Sequence, residues 1–226
     1  MNLIHGDSRV ELKKFPDKYF DLIITDPPYG IGYAEYDDAD VFFELEKEMY
    51  RVLKDDAWFV FWWSNKRLLE VKRLSLFKYK WQMMCIFPRT YSKSPLGDRT
   101  YAPIMVFQKG NPKLAYRRSD SVLAEELPFV KSRVKSGDFK PTFALSQLLL
   151  MFSKENDKIL DSFMGFGSFG LVCKIFKRDF TGIEMQENRF KIAKKIIESG
   201  GINKPIPALL KDMCGKTGIQ KKLKLR

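Results

Sequence analysis

The segment Asp26-Pro27-Pro28-Tyr29 places a carboxylate, two prolines and an aromatic ring directly after the apolar run 22–24. Proline has no N–H to give to a sheet ladder, so a strand must end here. A carboxylate and the carbonyls of a rigid turn are all acceptors, which suits an amino group with two hydrogens, and the tyrosine ring can stack on a flat base. Such acceptors would orient the amino group and stabilise the positive charge that develops during attack. The alternative is a stiff strand-ending turn that binds nothing.

A second group of residues forms a glycine-rich turn, in which Gly165, Gly167 and Gly170 have G-x-G-x-x-G spacing. A predicted strand ends at Asp161 before this turn, and a helix and a further strand ending at Glu184 follow it. Glycines let the backbone approach a ligand, and a helix N-terminus favours negative charge. Glu184 could accept both hydroxyls of a ribose, and Asp161 suits a cation such as the ammonium of a methionine moiety. The pattern predicts a nucleoside site; a tight turn with close helix packing is the alternative.

The elements that must position these residues alternate between strands and helices. Apolar runs predict strands over 21–25, 58–63, 83–87, 104–108, 158–160 and 180–183. Helical spacing predicts helices over 40–53, 66–74, 142–152, 169–176 and 187–198. This alternation predicts an α/β fold with a mainly parallel sheet and helices on both faces. No helix separates 83–87 from 104–108, so these two strands are expected to pair antiparallel at one edge.

The order of the two groups favours one class of nucleoside enzyme over another. A nicotinamide-binding fold would begin with the glycine-rich unit and build its remaining strands afterwards. Here 42 residues follow Glu184 (226 − 184), and they contain no clear strand. The sequence therefore argues against a dinucleotide dehydrogenase. Both groups follow predicted strands of a parallel sheet, so they are expected to meet at its carboxyl edge, where ligands of open α/β folds bind.

Length and composition set the broad class of the protein. The chain has 226 residues, of which 45% are hydrophobic, and we predict a single domain over 1–201 followed by a basic tail over 202–226. No uncharged apolar run reaches the ~18 residues of a membrane helix, and no signal-peptide core is present, so a cytoplasmic protein is expected. Three scattered cysteines, Cys85, Cys173 and Cys214, fit a reducing compartment. One histidine and no C-x-x-C pair predict no metal site.

The net charge of +12 points to a polyanionic partner. Span 66–113 holds eleven Lys and Arg residues against two acids, and the tail from 216 to 226 holds five basic residues and no acid. Neutralising phosphates and releasing their counterions would drive such binding. A solvated basic surface without a polyanion is the alternative.

The two motifs resemble those of the beta-class amino-methylating DNA methyltransferases. Segment 26–29 looks like their D-P-P-Y catalytic motif, and segment 161–167, D-S-F-M-G-F-G, looks like their S-adenosylmethionine motif. The resemblance covers most of 3–198. It implies a Rossmann-like S-adenosylmethionine-dependent methyltransferase fold with a seven-stranded sheet, an antiparallel edge hairpin and a permuted motif order. It also implies methyl transfer to the N6 amino group of an adenine flipped out of double-stranded DNA.

The resemblance further implies which residues hold the cofactor. Asp7 and Ser8, in the opening stretch, would contact its adenine. Stretch 140–154 stands where the family has H-P-T-Q-K-P, with Lys140 in place of the histidine, and Phe166 replaces a serine of the cofactor motif. Because Phe166 offers no hydroxyl, other side chains are expected to hold the cofactor carboxylate, namely Ser168, Thr142 and Lys140. The implied cofactor contacts are Asp7, Ser8, Asp26, Lys140, Thr142, Asp161, Phe163, Gly165, Gly167, Ser168 and Glu184.

Three segments that fit no regular element are candidates for DNA recognition: 30–40, 88–100 and 111–140. A homodimer and a partner restriction endonuclease are further expectations. Three alternatives stay open: methylation of cytosine N4, methylation of RNA adenine, and a non-catalytic nucleic-acid-binding protein with a decayed cofactor site.

Overall fold

The computed structural model describes residues 1–32, 37–88, 92–117, 119–124 and 139–200, without the side chains of residues 92 and 93. Its strands are β1 Asn2–His5, β2 Phe20–Thr25, β3 Leu53–Trp62, β4 Lys78–Ile86, β5 Ser92–Ser94, β6 Gly97–Arg99, β7 Tyr101–Lys109, β8 Ser121–Leu123, β9 Lys158–Asp161 and β10 Asp179–Glu184. Its α-helices are α1 Ser8–Glu11, α2 Asp40–Glu44, α3 Glu46–Val52, α4 Thr142–Phe152, α5 Ser168–Ile175 and α6 Glu187–Ser199. Two 3₁₀ helices span Leu12–Lys14 and Asn65–Arg73.

The main sheet has the strand order β1-β10-β9-β2-β3-β7-β4-β8. The pairs from β1 to β3 are parallel, β7 is antiparallel to both β3 and β4, and β8 is parallel to β4. The predicted α/β fold with a mainly parallel sheet is therefore confirmed.

The sheet differs from the expectation in its number of strands. It has eight strands rather than seven, and the apolar runs predicted neither β1 nor β8. Both strands are short, with four and three residues, so neither shows a period that a pattern could reveal. The antiparallel pairing of β4 with β7 is confirmed, but β8 lies outside β4, so this pair does not form the edge.

Two predicted helices also differ in detail. The helix predicted over 40–53 is divided into α2 and α3 at Leu45. At the start of α3 the buried Glu46 carboxylate accepts the Leu76 N–H at 2.7 Å, a tertiary contact that helical spacing does not reveal. The helix predicted over 66–74 is a 3₁₀ helix, interrupted by the non-helical backbone of Arg67.

Helices cover both faces of the sheet and form two apolar cores. On one face, α4, α5 and α6 pack against residues such as Trp62 and Ile159. On the other face, α2 and α3 pack against Phe59 and Phe61. The aromatic run 58–63, which the sequence predicted as a strand, is buried in these cores. Since β2, β9 and β10 are parallel neighbours buried on both faces, their carboxyl ends meet at one edge of the molecule.

Within the described residues, no helix is both long and apolar enough to cross a membrane. The predicted domain boundary at residue 201 and the basic tail 202–226 lie outside the described part of the chain.

Candidate active site

A cavity of about 520 Å³ opens where β2, β9 and β10 end. Both groups of residues that the sequence singled out line it. The predicted site residues on its wall are Asp7, Ser8, Asp26, Pro27, Pro28, Tyr29, Lys140, Asp161, Phe163, Gly165, Ser168 and Glu184. Thr142 and Gly167 are not among the lining residues. The Asp26–Tyr29 turn and the glycine-rich turn thus meet at one edge of the sheet, as expected from the sequence.

Asp26 lies between an aromatic hydroxyl and an ammonium. The Tyr29 hydroxyl donates a hydrogen bond to Oδ1 of Asp26, and Nζ of Lys140 lies 2.7 Å from Oδ2. The same Nζ lies 3.5 Å from the Tyr29 hydroxyl oxygen. The Tyr29 ring meets the Trp63 ring edge-on, with centroids 6.0 Å apart. Both carboxylate oxygens of Asp26 therefore have partners from within the chain, and the ammonium of Lys140 sits on the predicted catalytic acid.

A second acid and an arginine fix the backbone that follows the prolines. The Asp37 carboxylate accepts three successive backbone N–H groups, from Tyr29 at 2.7 Å, Gly30 at 2.8 Å and Ile31 at 2.8 Å. Nη1 of Arg67 donates to the carbonyl oxygen of Tyr29 at 3.1 Å. Gly30 has a φ of +64°, which glycine adopts without strain. The turn is thus held on both its N–H and its C=O side.

Sequence reasoning missed these two supporting residues. Asp37 stands beside Asp38, and no spacing rule distinguishes a carboxylate that caps a turn from its exposed neighbour. Arg67 belongs to a basic stretch that the net charge assigned to phosphate binding. The one local signal was Gly30, because a glycine directly after Tyr29 indicates a left-handed residue whose neighbours need fixing.

Asp161 is fully buried at the end of β9. Its Oδ1 accepts the Thr25 hydroxyl at 2.6 Å and the Phe163 N–H at 3.0 Å. Its Oδ2 is also buried and has no hydrogen-bond partner among the described residues. Burial raises the pKa of Asp161 to about 7, against the lowering effect of the Thr25 hydrogen bond. An unpartnered, buried carboxylate oxygen at a cavity wall fits a cationic donor on a ligand.

Glu184, at the end of β10, is a second buried acid of this wall. Its Oε2 accepts the Gly165 N–H and its Oε1 accepts the Gln186 N–H, each at 2.8 Å. Burial raises the pKa of Glu184. A carboxylate has about four acceptor positions, so two backbone donors leave capacity for a pair of hydroxyls. Gly165 has a φ of +55°, which favours glycine, and in this conformation its N–H donates to the acid that the sequence paired with it.

Asp7 and Ser8 lie at the wall but already have partners within the chain. Asp7 caps α1 by accepting the Arg9 N–H at 2.8 Å, and it forms an ion pair with the Arg9 guanidinium at 2.7 Å. The Arg9 hydrogen bond lowers the pKa of Asp7. The Ser8 hydroxyl donates to the carbonyl oxygen of Ser162 at 2.5 Å. Both residues therefore shape the wall, with Asp7 charged at neutral pH.

The three residues expected to hold the cofactor carboxylate have different positions. Ser168 begins α5, and its hydroxyl accepts the backbone N–H of Lys140 at 3.1 Å. Lys140 turns its ammonium to Asp26 instead of to the α5 end of the cavity. Thr142 begins α4 and lies outside the cavity wall. Among the three, Ser168 and Lys140 line the cavity, and the hydrogen bond from the Lys140 N–H to the Ser168 hydroxyl connects them.

Two glycines of the turn serve packing. Gly167 precedes α5 with a φ of +82°. In Gly170 an added Cβ would lie 2.5 Å from the Ile197 side chain and 2.8 Å from the Phe180 ring. The packing alternative therefore holds for Gly170, while Gly165 contributes its N–H to Glu184.

An arginine of this wall was not predicted. Arg189, in α6, lines the cavity, and its guanidinium lies 5.1 Å from the centre of the Phe166 ring. The family that the chain resembles has a serine at the position of Phe166, and a serine there could not make this contact with Arg189.

The candidate recognition segments are described in part. In segment 88–100, β5 and β6 form a two-stranded hairpin, and Arg99 lines the cavity. Segment 111–140 contains β8. Residues 33–36, 89–91, 118 and 125–138 lie outside the described ranges, and with them most of the last candidate.

One protein family and several known proteins resemble this chain. The family described as "DNA methylase" matches residues 139–195. The DNA adenine methyltransferase YhdJ of Escherichia coli strain K12 is 26% identical over 243 residues, which cover 87% of this chain and 82% of that protein.

Solved structures share the fold at lower identity. The complex of M1.HpyAVI with SAM is 21% identical with a TM-score of 0.71, covering 86% of this chain and 97% of that one. The PvuII DNA methyltransferase, described as cytosine-N4-specific, is 18% identical with a TM-score of 0.71, covering 93% and 90%. The chain therefore shares its fold with these solved structures, and its segment 139–195 matches the DNA methylase family.

Proposed function

We propose that the chain transfers a methyl group from S-adenosylmethionine to the N6 amino group of an adenine flipped out of double-stranded DNA. One observation carries this proposal: the Asp26–Tyr29 turn and the acids Asp161 and Glu184 line the same cavity. The first group suits an amino group on a flat ring, and the second suits a charged nucleoside. The turn alone would indicate only a base, and the two acids alone would indicate only a nucleoside cofactor. Methyl transfer needs both in one cavity.

The acids of the cavity fit the cofactor. The buried Oδ2 of Asp161 would accept the ammonium of the methionine moiety, which would give that oxygen the partner it lacks within the described residues. Glu184 would accept the ribose hydroxyls while its backbone donors keep its carboxylate in place. Ser168, at the N-terminus of α5, would face the carboxylate end. When bound, the cofactor supplies a methyl group on a sulfonium centre.

The turn would hold the base. Asp26 and the carbonyl of Pro27 would accept the two hydrogens of the amino group, and the Tyr29 ring would stack on the base. An amino group conjugated to a ring is a poor nucleophile, so two acceptors would favour its attacking geometry and stabilise the charge that develops on nitrogen. Asp37 and Arg67 keep this turn in place, which supplies the positional part of the rate. The base must leave the duplex first, at a cost of roughly a few kcal/mol.

Cytosine N4 is the second candidate target. The similarity of the fold to the cytosine-N4-specific PvuII enzyme favours it. The D-P-P-Y form of the turn and the relative that is a DNA adenine methyltransferase favour adenine. We therefore place adenine first.

Contacts with DNA and with partner proteins belong to the same proposal. The basic span 66–113, with Lys66 and Arg99 at the cavity, would contact DNA phosphates. The homodimer, the partner restriction endonuclease and the cytoplasmic location stay predictions.

The test uses labelled S-adenosylmethionine, a mixed-sequence duplex DNA and, in a parallel reaction, RNA, followed by nucleoside analysis. N6-methyladenine in the DNA is the expected product. N4-methylcytosine would support the second candidate, and label confined to RNA would overturn the DNA assignment. Calorimetry that detects DNA binding without S-adenosylmethionine binding would instead indicate a non-catalytic protein.

A pair of variants tests the role of the turn. Asp26→Ala is expected to abolish transfer while it keeps most of the DNA affinity. Asp38→Ala is the matched control, because Asp38 is an exposed carboxylate that accepts the Asp40 N–H at 2.9 Å and does not line the cavity. Activity that survived in Asp26→Ala would contradict the proposed amino-group site.

A further inference from the structure

The ammonium of Lys140 occupies an acceptor position on Asp26, the carboxylate that would accept a hydrogen of the target amino group. We propose that Lys140 is an internal competitor for the amino-group site, and that the target base must displace it from Asp26 before transfer. This inference rests on the proposed function and concerns a residue in which the chain departs from the family it resembles, since Lys140 stands at the position of a histidine.

The contact geometry resembles that of an amine bound as a ligand. Nζ of Lys140 lies 2.7 Å from Oδ2 of Asp26 and 3.5 Å from the Tyr29 hydroxyl oxygen. It lies 5.8 Å from the centre of the Tyr29 ring. An ammonium and an aromatic amino group are both nitrogen donors, so they make the same kind of hydrogen bond to the same oxygen. Nζ at 2.7 Å occupies one of the two acceptor positions of Oδ2, and an amino group that binds in that position must replace it.

The contact is shielded from water, which gives it strength. The side chain of Lys140 is 11% exposed and that of Asp26 is 28% exposed. An exposed ion pair contributes little, but a hydrogen bond between charged groups away from water contributes more. A competitor of this kind should weaken binding of the target by roughly tenfold.

Lys140 can leave without moving its backbone. Its N–H donates to the Ser168 hydroxyl at 3.1 Å, and Pro141 and Thr142 follow it directly into α4. The backbone is therefore fixed at the junction of two helices. Four methylene groups separate this anchor from the ammonium, so side-chain rotation alone can release the carboxylate.

Two other roles for Lys140 make different predictions. If Lys140 only braces Asp26, its removal lowers kcat and leaves the KM for DNA near its wild-type value. If Lys140 holds the cofactor carboxylate, its removal weakens binding of S-adenosylmethionine. A competitor alone predicts that its removal lowers the KM for DNA.

The test compares Lys140→Met with Lys140→Arg. Methionine keeps an unbranched side chain but no charge, whereas arginine keeps the charge and the donors. We expect Lys140→Met to lower the KM for mixed-sequence DNA by roughly tenfold, with kcat not reduced and the dissociation constant for S-adenosylmethionine, from calorimetry, within about twofold of wild type. Lys140→Arg should return the KM towards the wild-type value.

Lys66→Met is the matched control, because Lys66 is an exposed lysine at the same cavity. Removing a general attraction to phosphate should raise the KM for DNA or leave it unchanged, so a lower KM would be specific to Lys140. The inference is overturned if Lys140→Met folds with a wild-type Tm and has an unchanged or higher KM, a reduced kcat, or weaker cofactor binding. A wild-type chain that methylates no DNA overturns the proposed function itself, which separates the two failures.

Discussion

Thr25 donates a hydrogen bond from its hydroxyl to Oδ1 of Asp161 at 2.6 Å, and both side chains are fully buried. Thr25 is the last residue of β2 and directly precedes Asp26, while Asp161 is the last residue of β9. One hydroxyl thus joins the strand that carries the proposed amino-group site to the strand that carries the proposed cofactor acid. This contact adds to the pairing of β2 with β9 in holding the two halves of the cavity together.

Replacing Thr25 with valine should destabilise the protein because it removes a buried donor while it keeps the shape of the side chain. Oδ1 of Asp161 would retain the Phe163 N–H and lose its shorter bond. We expect the free energy of unfolding to fall by roughly 1–3 kcal/mol, as measured by urea denaturation. Thr25→Ser is the control, since it keeps the hydroxyl. Equal stability of the two variants would show that the hydrogen bond contributes nothing.

Replacing Asp161 with asparagine should stabilise the protein relative to wild type by an amount that grows with pH. Burial raises the pKa of Asp161 from 3.8 to about 7, so the folded protein keeps a proton that the unfolded chain has already lost. The contribution of Asp161 to the stability of the wild type therefore falls as the pH rises from about 4 to about 7 and is constant above that range. Asparagine cannot ionise, so its advantage should increase across this range, by at most ~1.4 kcal/mol per pH unit.

The measurement is the free energy of unfolding of both proteins in urea at pH 5, 6, 7 and 8. Groups that titrate alike in both proteins cancel in the difference between the two free energies. Asp38→Asn serves as the control for the loss of an exposed carboxylate. If the difference between Asp161→Asn and wild type did not change with pH, the raised pKa of Asp161 would be wrong.

The sequence predicted the position of candidate site residues where a buried strand carries an acid at its end. β2, β9 and β10 appear as short apolar runs because parallel strands are buried on both faces. The acids at their ends, Asp26, Asp161 and Glu184, could therefore be placed at one edge of the sheet from the apolar pattern alone. The sequence could not predict β8, whose three residues carry no period, or the 3₁₀ form of 65–73.

The rest of the site depends on contacts between distant segments. Asp37 caps the turn from a loop, and Lys140 reaches Asp26 across the cavity. The sequence shows that each residue is charged, but tertiary packing determines which group each one contacts. The sequence assigned Lys140 to the cofactor because the family it resembles uses this stretch to hold the cofactor. The long side chain of Lys140 reaches a different anion, the carboxylate of Asp26.

Replacing Gly30 with alanine should damage the site more than the same change at Gly32, because only the first substitution displaces Arg67. Gly30 and Gly32 have φ values of +64° and +78°, so alanine is strained at both positions by about 1 kcal/mol. At Gly30 an added Cβ would overlap Nη1 of Arg67, whereas at Gly32 no atom of the described residues lies within 4 Å. Arg67 would have to move away from the Tyr29 carbonyl. We therefore expect Gly30→Ala to lower kcat between about tenfold and a hundredfold relative to Gly32→Ala, in methylation assays with mixed-sequence DNA. Equal kcat values in the two variants would mean that Arg67 does not position the turn.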